Sequence, residues 1–290
     1  MKQDSKKAKK PERIRVRRYG SSEPTVVVLH GGPGAQGSAA GLAQSLAKDF
    51  IVLEPLQRRS GSVPLTVGQH IDDLAAIAPR PAILVGCSWG AMLGLSYAAR
   101  FPERVSDLVL VGCGTYEESS RRILRESIQN RLSETEFRHL TDLQERCALE
   151  QDPTMRDELF KEIGDAFMRA ESYELIHESE PPVEIIPADA NGNVETWTDV
   201  LRLQHEEIEP GIFSAITAPV LMIHGDTDPH PGGQTHDLLR RYIPQIEYVE
   251  MERCGHEPWR ERYARDHFLD ILRKWILKNY KPPSGTTIAF

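Results

Sequence analysis

Five short apolar runs recur along the chain: VVVL within 25–30, FIVLEP at 50–55, AILVGC at 82–87, DLVLVG at 107–112 and PVLMIH at 219–224. A run with no apolar–polar alternation has both faces in apolar surroundings, and a strand buried on both faces belongs inside a parallel sheet covered by helices. Residues 13–19 alternate apolar with basic side chains and 246–252 (IEYVEME) alternate with acids, so these two segments read as strands with one wet face. Helical patterns separate the runs. The expected fold class is therefore α/β, with a mostly parallel central sheet.

Thr66 and Gln69 have capping-box spacing ahead of Val67, Ile71, Leu74 and Ile77, which predicts an amphipathic helix before the 82–87 strand. Residues 88–101 are apolar almost all round and stop at Pro102, as expected of a helix packed against a sheet. The last helical pattern, 258–280, places Tyr263, His267, Leu269 with Ile271, and Trp275 with Ile276 on one stripe. Residues 115–212 break the strand–helix alternation with charged helical stretches and no buried strand. The expected organisation is a core over 13–114 and 213–280, a helical cap over 115–212, a disordered basic tail over 1–12 and a second tail over 281–290.

The formal charge of −8 is unevenly spread. Residues 1–18 carry nine Lys or Arg against Asp4 and Glu12, whereas 116–210 hold 24 Asp or Glu against 10 Lys or Arg. A surface this acidic excludes nucleic acid as the expected partner. No apolar run approaches the roughly 18 residues of a membrane span, and no apolar segment follows the basic start, so the expectation is a cytoplasmic chain that neither spans a membrane nor carries a secretory signal. Cys87, Cys113, Cys147 and Cys254 share no metal-ligand or framework spacing and read as free thiols.

The chemistry concentrates at the ends of the apolar runs. Gly86-Cys87-Ser88-Trp89-Gly90 fits G-x-S-x-G between a buried strand and a buried helix, where a tight turn can expose a serine at a helix N-terminus that favours developing negative charge. The alternative role for Ser88 is a helix N-cap. His30-Gly31-Gly32-Pro33-Gly34 follows the VVVL strand; Pro33 has no N–H, so Gly32 is the natural partner of the Trp89 N–H in an oxyanion hole. A serine needs a base and an orienting acid. Among ten histidines, His256 in Cys254-Gly255-His256 stands in a strand-end loop; the others fall in strand or helical patterns or, for His230, beside prolines in a polar loop. Asp228 is the expected acid in Gly225-Asp226-Thr227-Asp228-Pro229, and Asp226 is expected to bond the turn's backbone. No cofactor is expected, and no metal: the nearest ligand group, Asp226, Asp228 and His230, is better explained as a catalytic loop.

The order Ser88, Asp228, His256 across strand-end loops resembles the α/β-hydrolase fold over roughly residues 13–279. HGGPG with G-x-S-W-G, YAARFPERVSDLVLVG after the elbow and GHEPW around the histidine further resemble the proline iminopeptidases. That resemblance implies cap glutamates that bind a substrate amine, for which Glu206 and Glu207 are the candidates, with Trp197. Unlike the family, the chain has Cys87 in place of the elbow glycine, Leu56-Gln57-Arg58-Arg59 in place of D-Q-R-G, and no Trp-x-x-Trp-Glu in the cap. The expected activity is a serine hydrolase acting on a small ester or amide through an acyl-enzyme. The alternatives are a proline iminopeptidase-type aminopeptidase and a hydrolase-fold receptor without turnover. The oligomeric state stays open.

Overall fold

The computed structural model describes residues 13–176 and 183–280, and the tails at 1–12 and 281–290, together with His177, lie outside the described residues. Seven strands form one sheet in the order β1-β3-β2-β4-β5-β6-β7. They are β1 (Val16–Tyr19), β2 (Thr25–Leu29), β3 (Ile51–Pro55), β4 (Ala82–Cys87), β5 (Val105–Val111), β6 (Val220–Gly225) and β7 (Ile246–Met251). Only the edge strand β1 runs antiparallel, against β3; every other pairing is parallel. All seven strands expected from the sequence are present. The fifth starts earlier than the apolar run does, at Val105, which puts Asp107 inside the sheet.

The apolar runs feed two cores at once. Val27, Leu29, Leu84, Leu108, Leu110, Val220 and Met222 face one side of the sheet, while Val26, Val28, Ile83, Val85, Val109, Val111, Leu221 and Ile223 face the other. This is the period-two alternation of strand side chains, here with both faces buried. Helices α2 (Val67–Ala75), α3 (Trp89–Arg100) and α8 (Gly232–Leu239) cover the first face; α1 (Ala40–Leu46) and α9 (Arg265–Asn279) cover the second. Between β5 and β6 come α4 (Glu118–Arg131), α5 (Glu134–Leu149), α6 (Pro153–Glu171) and α7 (Ala190–His205), with no strand of the sheet among the described residues of this stretch.

Two local expectations are corrected. Thr66 does cap α2, its hydroxyl accepting from the Gln69 N–H at 3.1 Å, but the Gln69 side chain donates to Asp73 rather than closing the capping box. The buried stripe at α9 keeps the expected Trp275 and Ile276, with Leu269 and Ile271 packed beside it, but begins at Ala264, Phe268 and Leu272 rather than at Tyr263 and His267. Tyr263 precedes the helix, is 46% exposed and lies under the Arg253 guanidinium. At the start of the helix the buried positions stand one residue after Tyr263 and His267, where the loop turns the chain before the 3.6-residue period begins.

Phe268→Ala should therefore lower the free energy of unfolding by about 3–5 kcal/mol, and Tyr263→Ala by less than about 1 kcal/mol, in urea titrations. Equal costs would contradict the stripe assigned here.

Candidate active site

Ser88 joins β4 to α3 in a backbone conformation that non-glycine residues rarely adopt, with φ 53° and ψ −117°. Its N–H donates to the Val111 carbonyl at 2.8 Å, and its side chain makes no capping bond to the helix it precedes. The N-cap alternative is thus not what the turn provides. The conformation is held by crowding. A Cβ on Gly86 would stand 2.2 Å from the Gly90 carbonyl oxygen, and one on Gly90 would stand 2.3 Å from that of Leu29. Cys87 is buried beside the turn, and burial pushes its thiol well above the ordinary range.

The HGGPG segment lies against this turn. A Cβ on Gly31 would come within 3.2 Å of the Ser88 Cβ, and Gly32 has φ 39°. Behind it is a buried polar strut. The Trp89 indole N–H donates to Gln57 Oε1 at 2.8 Å, and the Gln57 Nε2 donates to the His30 carbonyl at 3.4 Å. Burial pushes His30 down to about 4, so the ring is neutral at pH 7. Gln57, in the segment that departs from the D-Q-R-G pattern, therefore ties the HGGPG loop to the residue after the serine.

Asp228 and His256 meet between the loops that follow β6 and β7. His256 Nδ1 lies 2.8 Å from Asp228 Oδ2, and both side chains are buried. The two loops are laced together: Asp226 accepts from the Cys254 N–H through Oδ1 at 3.2 Å, and Thr227 donates to the Cys254 carbonyl through its N–H at 3.0 Å and its hydroxyl at 2.7 Å. Asp226 thus bonds backbone, as expected, but that of the neighbouring loop rather than of its own turn. Gly112, just past β5 with φ 54°, seats the imidazole; a Cβ there would stand 2.9 Å from its ring. Since the Ser88 N–H bonds the preceding residue, Val111, the serine and the histidine are anchored to one strand end.

Electrostatics follow from this packing. Burial opposes charge on His256, but the Asp228 carboxylate, and Glu171 after it, outweigh burial and hold the imidazolium above its ordinary range. Burial likewise opposes the Asp228 charge, and His256, His230 and His224 together pull that carboxyl well below its usual value.

Two further histidines crowd the carboxylate: His230, which the sequence grouped with Asp226 and Asp228, and His224, which it placed in a strand. His224 is fully buried with Nε2 3.3 Å from Asp228 Oδ2, and burial lowers it to about 4. His230 donates its backbone N–H to Asp228 Oδ1 at 2.9 Å, places Nδ1 3.0 Å from the same oxygen, and stacks on His256 with ring centroids 4.4 Å apart. The ligating atoms of Asp228, His230 and His256 lie within 4.8 Å of one another. Imidazole lone pairs lie in the ring plane, however, and two rings only 20° from parallel do not converge on one ion at the ~2.0–2.1 Å that zinc requires.

The helical stretch between β5 and β6 meets the site in two places. Asn193 on α7 donates to the Pro33 carbonyl at 2.9 Å, and the Asp189 N–H donates to that of Gly34 at 2.8 Å. The Glu171 carbonyl at the end of α6 accepts from the His256 N–H at 3.0 Å. Glu206 and Glu207, by contrast, are exposed at the other end of α7, about 20 Å along the helix axis from the Asn193 contact. Glu206 is bonded to Arg202 at 2.6 Å, and Trp197 packs into the core against which α7 lies. The structure brings Asp228 and His256 together and Gly31 to the serine turn, and leaves the two glutamates away from them.

Residues 24–263 match the protein family described as alpha/beta hydrolase fold. The chain is 25% identical over 252 residues to pimeloyl-acyl-carrier-protein methyl ester esterase of Nitrosomonas europaea, covering 81% of this chain and 90% of that one. It is 32% identical over 136 residues to a probable proline iminopeptidase of Streptomyces coelicolor, covering 40% and 41%. Relatives above 30% identity, that iminopeptidase among them, are matched over only 34 to 41% of their own length. A solved thermophilic esterase from Thermogutta terrifontis superposes with a TM-score of 0.58 at 18% identity, covering 92% of this chain and 94% of that one.

Nitrogen-15 histidine NMR should find His256 still protonated above pH 7 and His224 neutral down to about pH 4. Because the folded state raises the affinity of His256 for its proton, the stability this supplies is complete below the unfolded value of about 6.5 and is lost as pH rises through the folded one. A His256 that titrates at about 6.5 would contradict the charge balance described.

Proposed function

The chain belongs to the alpha/beta hydrolase fold family, and we propose that it is a serine hydrolase that cleaves small esters through an acyl-enzyme on Ser88. The observation that carries this reading is the serine turn itself, a non-glycine residue at φ 53° whose side chain caps nothing. Strain of this kind costs on the order of 1–3 kcal/mol and persists where the surrounding structure enforces it, typically at functional sites.

In the proposed mechanism His256 takes the Ser88 Oγ proton as the oxygen attacks the substrate carbonyl, and returns it to the leaving group as the tetrahedral intermediate collapses. Asp228 keeps the Nδ1–H tautomer and offsets the imidazolium charge. The N–H groups of Gly32 and Trp89 receive the oxyanion, each contributing about 3 kcal/mol in the transition state. Water activated by the same histidine then releases the acid. The esterase match, which covers most of both chains, supports ester chemistry. Recognition of a free amino terminus, which the iminopeptidase relative suggests, would require cap acids at the site, and Glu206 and Glu207 lie at the wrong end of α7 for it.

Ser88→Ala and His256→Ala should each lower kcat on p-nitrophenyl butyrate by about 10^4 or more with unchanged folding, because such residues act as a unit. Asp228→Asn should be far more damaging than Asp226→Asn. Near-wild-type turnover by Ser88→Ala or His256→Ala, or the reverse ranking of the aspartates, would overturn these roles. A neutral His256 is required in the free enzyme, so kcat/KM should keep rising above pH 7.

Substrate choice has its own test. p-Nitrophenyl acetate and butyrate should be turned over readily and proline β-naphthylamide weakly or not at all. A preference for the proline amide that disappears when its amine is blocked would restore the aminopeptidase.

A further inference from the structure

The chain carries Asp228-Pro229-His230-Pro231 directly after β6. A proline on each side fixes two φ angles and holds the residue before Pro231 in an extended conformation, so His230 is presented on a stiff bracket. Both of its N–H groups that face the carboxylate converge on one oxygen, Oδ1, at 2.9 and 3.0 Å, while the other oxygen, Oδ2, is 2.8 Å from His256. The His230 side chain is 11% exposed and lies nearly parallel to the His256 ring. One carboxylate is thus shared between two histidines, with its two oxygens divided between them.

We propose that His230 is a positioning residue for catalysis: it pins Asp228 Oδ1 so that Oδ2 faces His256, and its ring stacks against the His256 imidazole and fixes the plane in which that ring meets Ser88. The proposal rests on the reading of Ser88, Asp228 and His256 as the catalytic unit. Hydrogen bonds donated to Oδ1 draw charge from the carboxylate and weaken its pull on the His256 proton. Without the His230 side-chain donor, His256 keeps its proton to higher pH, and the base is neutral in a smaller fraction of molecules at pH 7. The other titratable groups around the cluster are His224 from β6, Tyr248 from β7, Glu171 at the end of α6, and Glu257 beside His256. None of these changes in a His230 variant, so a shift of the profile reports His230 itself.

The test compares the wild type, His230→Phe, His230→Asn and Ser88→Ala on p-nitrophenyl butyrate from pH 5.5 to 10, with melting temperatures alongside. Phe keeps a ring to stack and loses the side-chain donor; the Asn amide N–H can stand in for Nδ1. His230→Phe should lower kcat at pH 7 by about three- to tenfold with KM little changed, and move the acid limb of kcat/KM up by about half a unit. His230→Asn should restore the limb, while its kcat, without a ring to stack on His256, stays below that of the wild type. A Phe variant with the wild-type limb and kcat, or an Asn variant as displaced as Phe, would overturn the proposal. Should the Phe variant not fold, His230→Leu is the second donor-free variant, with the same expected and contradicting results. Turnover retained by Ser88→Ala is a different outcome, since it removes the catalytic reading rather than the role of His230.

Discussion

The contact on which the rest of the structure depends is the close approach of three backbones at the end of β4. Gly86, Gly90 and the Leu29 carbonyl leave no room for a Cβ, which draws β2, β4 and the first turn of α3 into one packed corner. Ser88 is the residue left at the apex, and its left-handed conformation is a consequence of that corner. A buried, two-faced sheet is what makes the corner rigid enough to hold the strain: Leu29, Leu84 and Leu110 pack below α3 while Val28, Val85 and Val111 pack on α1 and α9.

The second part of the candidate site is built by lacing loops rather than by packing. Asp226, Thr227 and Cys254 join the β6 and β7 loops, and Glu261, fully buried, accepts from the backbone N–H groups of Gly255, Tyr173 and Glu174. The histidine loop is therefore fastened on one side to the strand ends and on the other to the chain leaving α6. A fully buried carboxylate that accepts three backbone N–H bonds is expensive to remove. Movement of the end of α6 would be felt at His256 through the Glu171 carbonyl, without any contact to the serine.

The strands were legible because each apolar run serves two cores and so carries few polar residues on either face. The elbow was legible because a glycine, a serine and a glycine at fixed spacing are what the corner sterically demands. Helix α1, by contrast, is AGLAQSL with Ala39 before it and no side-chain cap, so the sequence carried no start signal for it. The partner of each loop was also out of reach, since pairing such as Glu261 with Tyr173 links residues 88 positions apart. The contact of His230 with Asp228 was not legible, because a histidine between prolines in a polar loop shows no partner; its place depends on where Asp228 turns. Glu206 and Glu207 stand away from the HGGPG loop for a simple reason of length, because α7 touches that loop with its first turns and these two acids follow its last.

A nucleophilic serine makes a covalent bond, and that is measurable without knowing the natural substrate. The protein should be labelled with a fluorophosphonate probe, digested, and the modified peptide sequenced by mass spectrometry. The account predicts one phosphonylated residue, Ser88, with labelling abolished in His256→Ala. Labelling at another serine, or none at Ser88 in folded wild-type protein, would contradict it.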